Sequence, residues 1–127
     1  MASITRILVP VDGSLGASRA AEKAAFLAGQ CGARLDILFV GDELSQELTA
    51  EAIFADILQR LPAEIPVKKH LASDSVPKAI LDTAKTSGAD LIVMGSRGLG
   101  IFRGAFLGSV SQKVMEESPI PVLIVKS

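Results

Sequence analysis

Short apolar runs alternate with helical stripes along the chain, and this leaves few folds open. Ile4 to Val11 reads as a strand, and Ser14 to Gln30 as a helix with the stripe Ala17, Ala20, Ala21, Ala24, Ala28, stopped by Gly32. Leu35 to Val40 is a second strand. A second helix runs from Leu44 to Leu61, with Leu44, Leu48, Ile53, Ile57, Leu58 and Leu61 mostly on one face and Pro62 at or beyond its end. Ile65 to Leu71 is a third strand, followed by a helix that starts near Asp74 or Ser75, tolerates Pro77 in its first turn and closes at Gly88. Leu91 to Gly95 is a fourth strand and Ser109 to Glu117 a helix, and Pro119 and Pro121 lead into a last strand ending at Val125. Strict alternation implies right-handed crossovers and a parallel sheet covered on both faces, a doubly wound α/β domain. Alternation alone leaves the strand order open.

With 127 residues the chain fits one domain, large enough to bury roughly two-thirds of the surface it exposes unfolded. Hydrophobic residues make up 49% and aromatic ones only 4%, so Ala, Val, Ile and Leu must build the core, as in helix-on-sheet layers. A net charge of −1 gives no global attraction to nucleic acid or anionic membrane. The longest apolar runs, such as Ile120 to Val125, are far shorter than the about 20 residues a membrane span needs. Cys31 is the only cysteine, which excludes an internal disulfide. With no secretory apolar segment at the start, it points to the cytoplasm. Near a helix end, Cys31 reads as packed and inert.

The chemistry concentrates in Gly95-Ser96-Arg97-Gly98, nine further residues, and Gly108-Ser109. This loop follows a buried strand and opens a helix. A helix start offers unpaired N–H groups and partial positive charge, and glycines let backbone approach a ligand closely, so phosphate is the natural guest. The segment carries Arg97 and Arg103 and no acid. Ser109 reads as a helix cap with Gln112 reaching back, with or without a second role on phosphate. Phe102 and Phe106 read as loop anchors rather than base-stacking groups.

These residues, with Ile7-Leu8-Val9-Pro10-Val11-Asp12-Gly13-Ser14, Asp90 to Gly98 and Pro121 to Val125, resemble the universal stress protein family, specifically its ATP-binding branch. The resemblance covers the whole chain, although the stretch from Gly41 to Pro66 is shorter than in many members. It implies a five-stranded sheet of order 3-2-1-4-5, with the ligand crevice between strands one and four. It also implies that Gly98, Gly108, Ser109 and the N–H of Val110 hold phosphates, that Met94 and Gly95 border the ribose, and that Val40 offers backbone groups to adenine. Asp12, after Pro10 and Val11, contacts the nucleoside or helps hold Mg2+. Its bland alternative is an Asx turn launching the next helix.

The resulting expectation is a cytoplasmic stress-response regulator that binds ATP, with ADP and AMP as alternative ligands, using Pro10, Val11, Asp12, Val40, Met94, Gly95, Arg97, Gly98, Gly108, Ser109 and Val110. A slow ATPase or phosphotransferase is the alternative; no Gly-Lys-Ser/Thr is present and Asp12 has no acidic companion. A phosphorelay receiver fits poorly, because it needs clustered acids after the first strand. A flavodoxin fits worse, because its phosphate loop follows the first strand. His70 stands unaccompanied in Lys68-Lys69-His70 and reads as solvated rather than metal-ligating. The last strand lies at a sheet edge in the implied order, guarded only by Lys126, and invites a homodimer; a regulated protein partner is also open. Proline at Leu123 or Val125 breaks that pairing if the donor removed faces outward.

Overall fold

The computed structural model describes residues 3–41, 46–96 and 107–126. Strands β1 (Arg6–Val11), β2 (Arg34–Val40), β3 (Val67–Ala72), β4 (Leu91–Gly95) and β5 (Val122–Val125) alternate with helices α1 (Leu15–Cys31), α2 (Gln46–Gln59), α3 (Val76–Ser87) and α4 (Ser109–Glu117). All strand pairs are parallel and the order is β3-β2-β1-β4-β5, the architecture expected. Alternation forces the crossovers, and the reversal of strand order beside β1 creates a switch point.

Each sheet face buries one stripe of the three inner strands β2, β1 and β4. Ile7, Val9, Val11, Leu35, Ile37 and Phe39 meet the α1 alanines and Ala50, Phe54 and Ile57 of α2. On the opposite face Leu8, Leu38, Ile92 and Met94 pack against Ile80 and Ala84 of α3 and Val114 of α4. Fully burying one such aliphatic strand side chain contributes about 1.5–3 kcal/mol. The small side chains of Ala17, Ala20, Ala21, Ala24 and Ala28, all buried, let α1 lie close against the sheet.

Gly32 and Gly88 end α1 and α3 in the left-handed conformation, as their positions suggest, and Ser75 precedes α3 with Pro77 in its first turn. Helix α2 differs from expectation. Its inward face carries Ala50, Phe54 and Ile57, whereas Leu58 is 38% exposed, because one residue past Ile57 is a turn of about 100°. Leu44 and the side chain of Leu48 lie outside what is described.

The amino ends of β1 and β4 are fastened together. The Asp90 carboxylate accepts the Thr5 N–H at 2.8 Å, the Thr5 hydroxyl at 3.0 Å and the Arg6 N–H at 3.1 Å. These donors, the Thr5 amide foremost, hold the Asp90 pKa below the usual carboxylate value. Arg6 Nη1 also donates to Ser87 O at 2.8 Å. Further along, the recorded pairing of the two strands ends. Register between β1 and β4 extends only through Ile7↔Leu91 and Leu8↔Ile92, whereas β1 and β2 pair from Arg6↔Arg34 through Val11↔Phe39.

Candidate functional site

The carboxyl ends of β1, β2 and β4 meet at the switch point. Beyond Val11, which is buried, Asp12 turns the chain: its Oδ1 accepts the Ser14 N–H at 2.9 Å, the Asx turn considered from sequence. Gly13 takes φ 86°, a value that favours glycine, and Ser14 caps α1 by accepting the Ala17 N–H at 3.1 Å. Register Val11↔Phe39 leaves Asp12 and the half-buried Val40 at the same level. Gly41 continues to β3 by donating its N–H to Ala72 O at 3.0 Å.

From β4, Met94 is buried and Gly95 pairs with Val125. One hydrogen bond then ties this strand end to β5, and two strap the start of α4 onto it. Ser96 N–H donates to Val125 O at 3.1 Å, Gly108 N–H to Ser96 O at 2.7 Å, and the buried Ser111 hydroxyl to Gly95 O at 2.8 Å. The first intrahelical bond is Gln112 N–H to Gly108 O at 3.0 Å, so the amides of Ser109, Val110 and Ser111 lack helical acceptors. No acid lies in this first turn. Chemically, a helix start with free amides and no acid can receive an anion.

Ser109 departs from its expected capping role. Gly108 occupies the N-cap, without a side-chain cap, and Ser109 is the exposed first helical residue. The Gln112 side chain does not reach back; its Nε2 donates to Glu116 Oε2 at 3.3 Å along the helix. The bond from Gly108 N–H to Ser96 O draws the chain in one residue earlier than the sequence pattern indicates. Gly108 has φ −71° and ψ 164°, values open to any residue, so backbone conformation does not require glycine there.

Pro10, Val11, Asp12, Val40, Met94, Gly95, Gly108, Ser109 and Val110 thus share one end of the sheet. Arg97, Gly98, Phe102, Arg103 and Phe106 lie outside the described residues. Among the described residues, no group of three or more His, Cys, Asp or Glu side chains could hold a metal ion.

Two expectations are corrected. Cys31 is exposed, because it is the last residue of α1 and falls beyond the packed alanines. His70 has company: its Nε2 lies 2.7 Å from Oδ2 of the fully buried Asp36. Arg34 grips the same carboxylate, Nε to Oδ1 at 2.7 Å and Nη2 to Oδ2 at 3.0 Å, which raises the Arg34 pKa further. The sequence signal was Asp36 itself, a charge inside an apolar strand, which burial allows only with partners.

None of the described helices is long and apolar enough to cross a membrane. Residues 3–126 match the model of the universal stress protein family. The universal stress protein in the QAH/OAS sulfhydrylase 3′ region of Thermus aquaticus is 40% identical over 134 residues, covering 94% of this chain and 97% of that one. Universal stress protein YxiE of Bacillus subtilis is 33% identical over 145 residues, covering 95% and 98%. A universal stress protein solved in complex with cAMP superposes with a TM-score of 0.83 at 26% identity, covering 98% of each chain. A parallel sheet of order 3-2-1-4-5, a family match along nearly the whole length and relatives of this identity agree: the chain belongs to the universal stress protein family.

Proposed function

We propose that residues 1–127 form one ATP-binding domain of a cytoplasmic stress-response regulator, in which nucleotide occupancy biases assembly or the capture of a protein partner. The observation that carries this is the α4 N-terminus strapped to the end of β4 at the switch point, with a glycine at the N-cap whose backbone angles need none. Glycine there forgoes only a few tenths of a kcal/mol, roughly, of side-chain capping, and the gain is room for an anion against the backbone. Phosphates sit on Gly98, Gly108, Ser109 and the Val110 amide, with Arg97 adding charge. The ribose lies by Met94 and Gly95, and the nucleoside against Pro10, Val11, Asp12 and the Val40 backbone. The related protein solved with cAMP supports the adenine class of ligand. ADP and AMP share the same contacts. Asp12 suits Mg2+ held mainly by phosphate oxygens and water, the arrangement this small cation prefers.

The test is direct. Purified protein, denatured, is expected to release an adenine nucleotide, and calorimetric titration of the emptied protein to give an ATP Kd near about 1 μM, roughly −8 kcal/mol. No released nucleotide and a flat titration at millimolar ATP overturn the reading.

The proposed assembly is a two-fold homodimer through β5. This strand is outermost, with Leu123 38% exposed, whereas the opposite edge strand β3 carries the exposed Lys68 and Lys69. Hydrogen bonds to Pro121 O and Val125 O turn the odd-numbered residues of β5 toward β4. Leu123 and Val125 donors therefore face inward, and the proline test moves to Ile124. Light scattering after size exclusion is expected to give about twice 13.2 kDa for the wild type and the monomer mass for Ile124→Pro. A wild-type mass of 13.2 kDa with and without ATP ends the dimer proposal.

A further inference from the structure

Pro10 stands inside β1, the middle strand of the sheet, where a proline deletes a ladder donor. Its neighbours show which ladder is affected. In a strand, the N–H and C=O of one residue point to one side and those of the next residue to the other. Arg34 N–H donates to Thr5 O at 2.9 Å on the β2 side, and Asp90 N–H to Arg6 O at 2.9 Å on the β4 side. Even-numbered residues of β1, Pro10 among them, therefore face β4. On β4, Ile92 and Ser96 donate to Pro121 O and Val125 O on the β5 side, which turns Val93 and Gly95 toward β1. With the register Leu8↔Ile92, the donor missing at position 10 is the one that would reach the Val93 carbonyl.

The consequence for pairing falls on one side only. Toward β2, whose bonds use odd-numbered residues, the register runs unbroken through Pro10↔Leu38 to Val11↔Phe39. Toward β4 it stops at Leu8↔Ile92, one step before the proline would have to donate. The next carbonyl on that side, Gly95 O, takes the Ser111 hydroxyl at 2.8 Å rather than a β1 amide. Asp90 clamps the same two strands at their amino ends. The ladder between the two strands is thus complete at the amino end and lacks a donor toward the other, where Asp12 and Gly95 stand.

We propose that Pro10 opens the switch-point crevice by withholding the backbone donor that would continue the β1–β4 ladder, and that this opening admits the nucleotide between Asp12 and Gly95. The inference rests on the nucleotide reading above. Pro10 is then a positioning residue, acting through the backbone it leaves unpaired.

Pro10→Ala restores the donor. The expected result is a through-hydrogen-bond scalar coupling between the amide nitrogen at position 10 and the Val93 carbonyl carbon, with ATP affinity at least tenfold weaker. Lactate in place of Pro10 loses the ring as alanine does but brings no N–H, and is expected to bind ATP at least tenfold more tightly than the alanine variant. Absence of the coupling overturns the proposal, as does coupling with unchanged affinity, or equal affinity losses in the alanine and lactate variants. A wild-type protein that binds no adenine nucleotide overturns the function itself, and the coupling experiment separates that failure from this one.

Discussion

Gly108→Val is expected to weaken ATP binding at least 100-fold, about 2.8 kcal/mol, in a protein that still folds. The backbone at Gly108, φ −71° and ψ 164°, is open to valine, and the Gly108 N–H to Ser96 O bond uses main-chain atoms that the substitution keeps. The cost to the helix is a poorer N-cap, about 1 kcal/mol, which is small beside a folding free energy of about 5–15 kcal/mol. What valine adds is a branched Cβ beside the unpaired amides of the first turn, in the space the phosphates require. Calorimetric titration paired with circular dichroism decides the matter. Unchanged affinity with an intact helical spectrum removes this helix start as the phosphate site. Because Ser109 is not the cap, Ser109→Ala is a companion that tests the hydroxyl alone.

Asp36→Ala is expected to lower stability by about 3 kcal/mol and the melting temperature by roughly 10 °C. Asp36 is fully buried, and its two oxygens serve Arg34 from the same strand and His70 from β3. Removing the carboxylate strands a guanidinium and an imidazole against the sheet and leaves a void between them. The loss is large because it combines an unpaired cation with lost packing, not because an ion pair is intrinsically strong. His70→Ala, which leaves Asp36 its Arg34 partner, is expected to cost less. Urea unfolding of both variants measures the difference, and a loss below about 1 kcal/mol for Asp36→Ala refutes the account.

Much of this molecule is written locally. The β4 strand falls where its apolar run puts it, Gly32 and Gly88 end their helices, and the α1 alanine stripe is the buried one. Periodicity and turn chemistry need only near neighbours in sequence, so they can be read without knowing what lies across the sheet. Part of the candidate site's backbone was legible too: Asp12 makes the Asx turn weighed beside its ligand role, and Gly95 and Gly108 come to the switch point.

Other features required the assembled sheet. The sequence shows Asp36 in an apolar run, but not that β3 brings His70 to 2.7 Å of it. It shows Pro10 in a strand, but not that its absent donor faces β4 rather than β2. It offers Ser109 as a cap, yet the bond from Gly108 to Ser96 moves the cap one residue earlier. By itself, then, the sequence determined which segments are strands and helices, where the helices stop, and which residues could form an anion site. Only the tertiary structure decided partner, side and register, because a backbone group or a buried charge takes its meaning from whichever strand lies beside it, and that neighbour is distant in the chain.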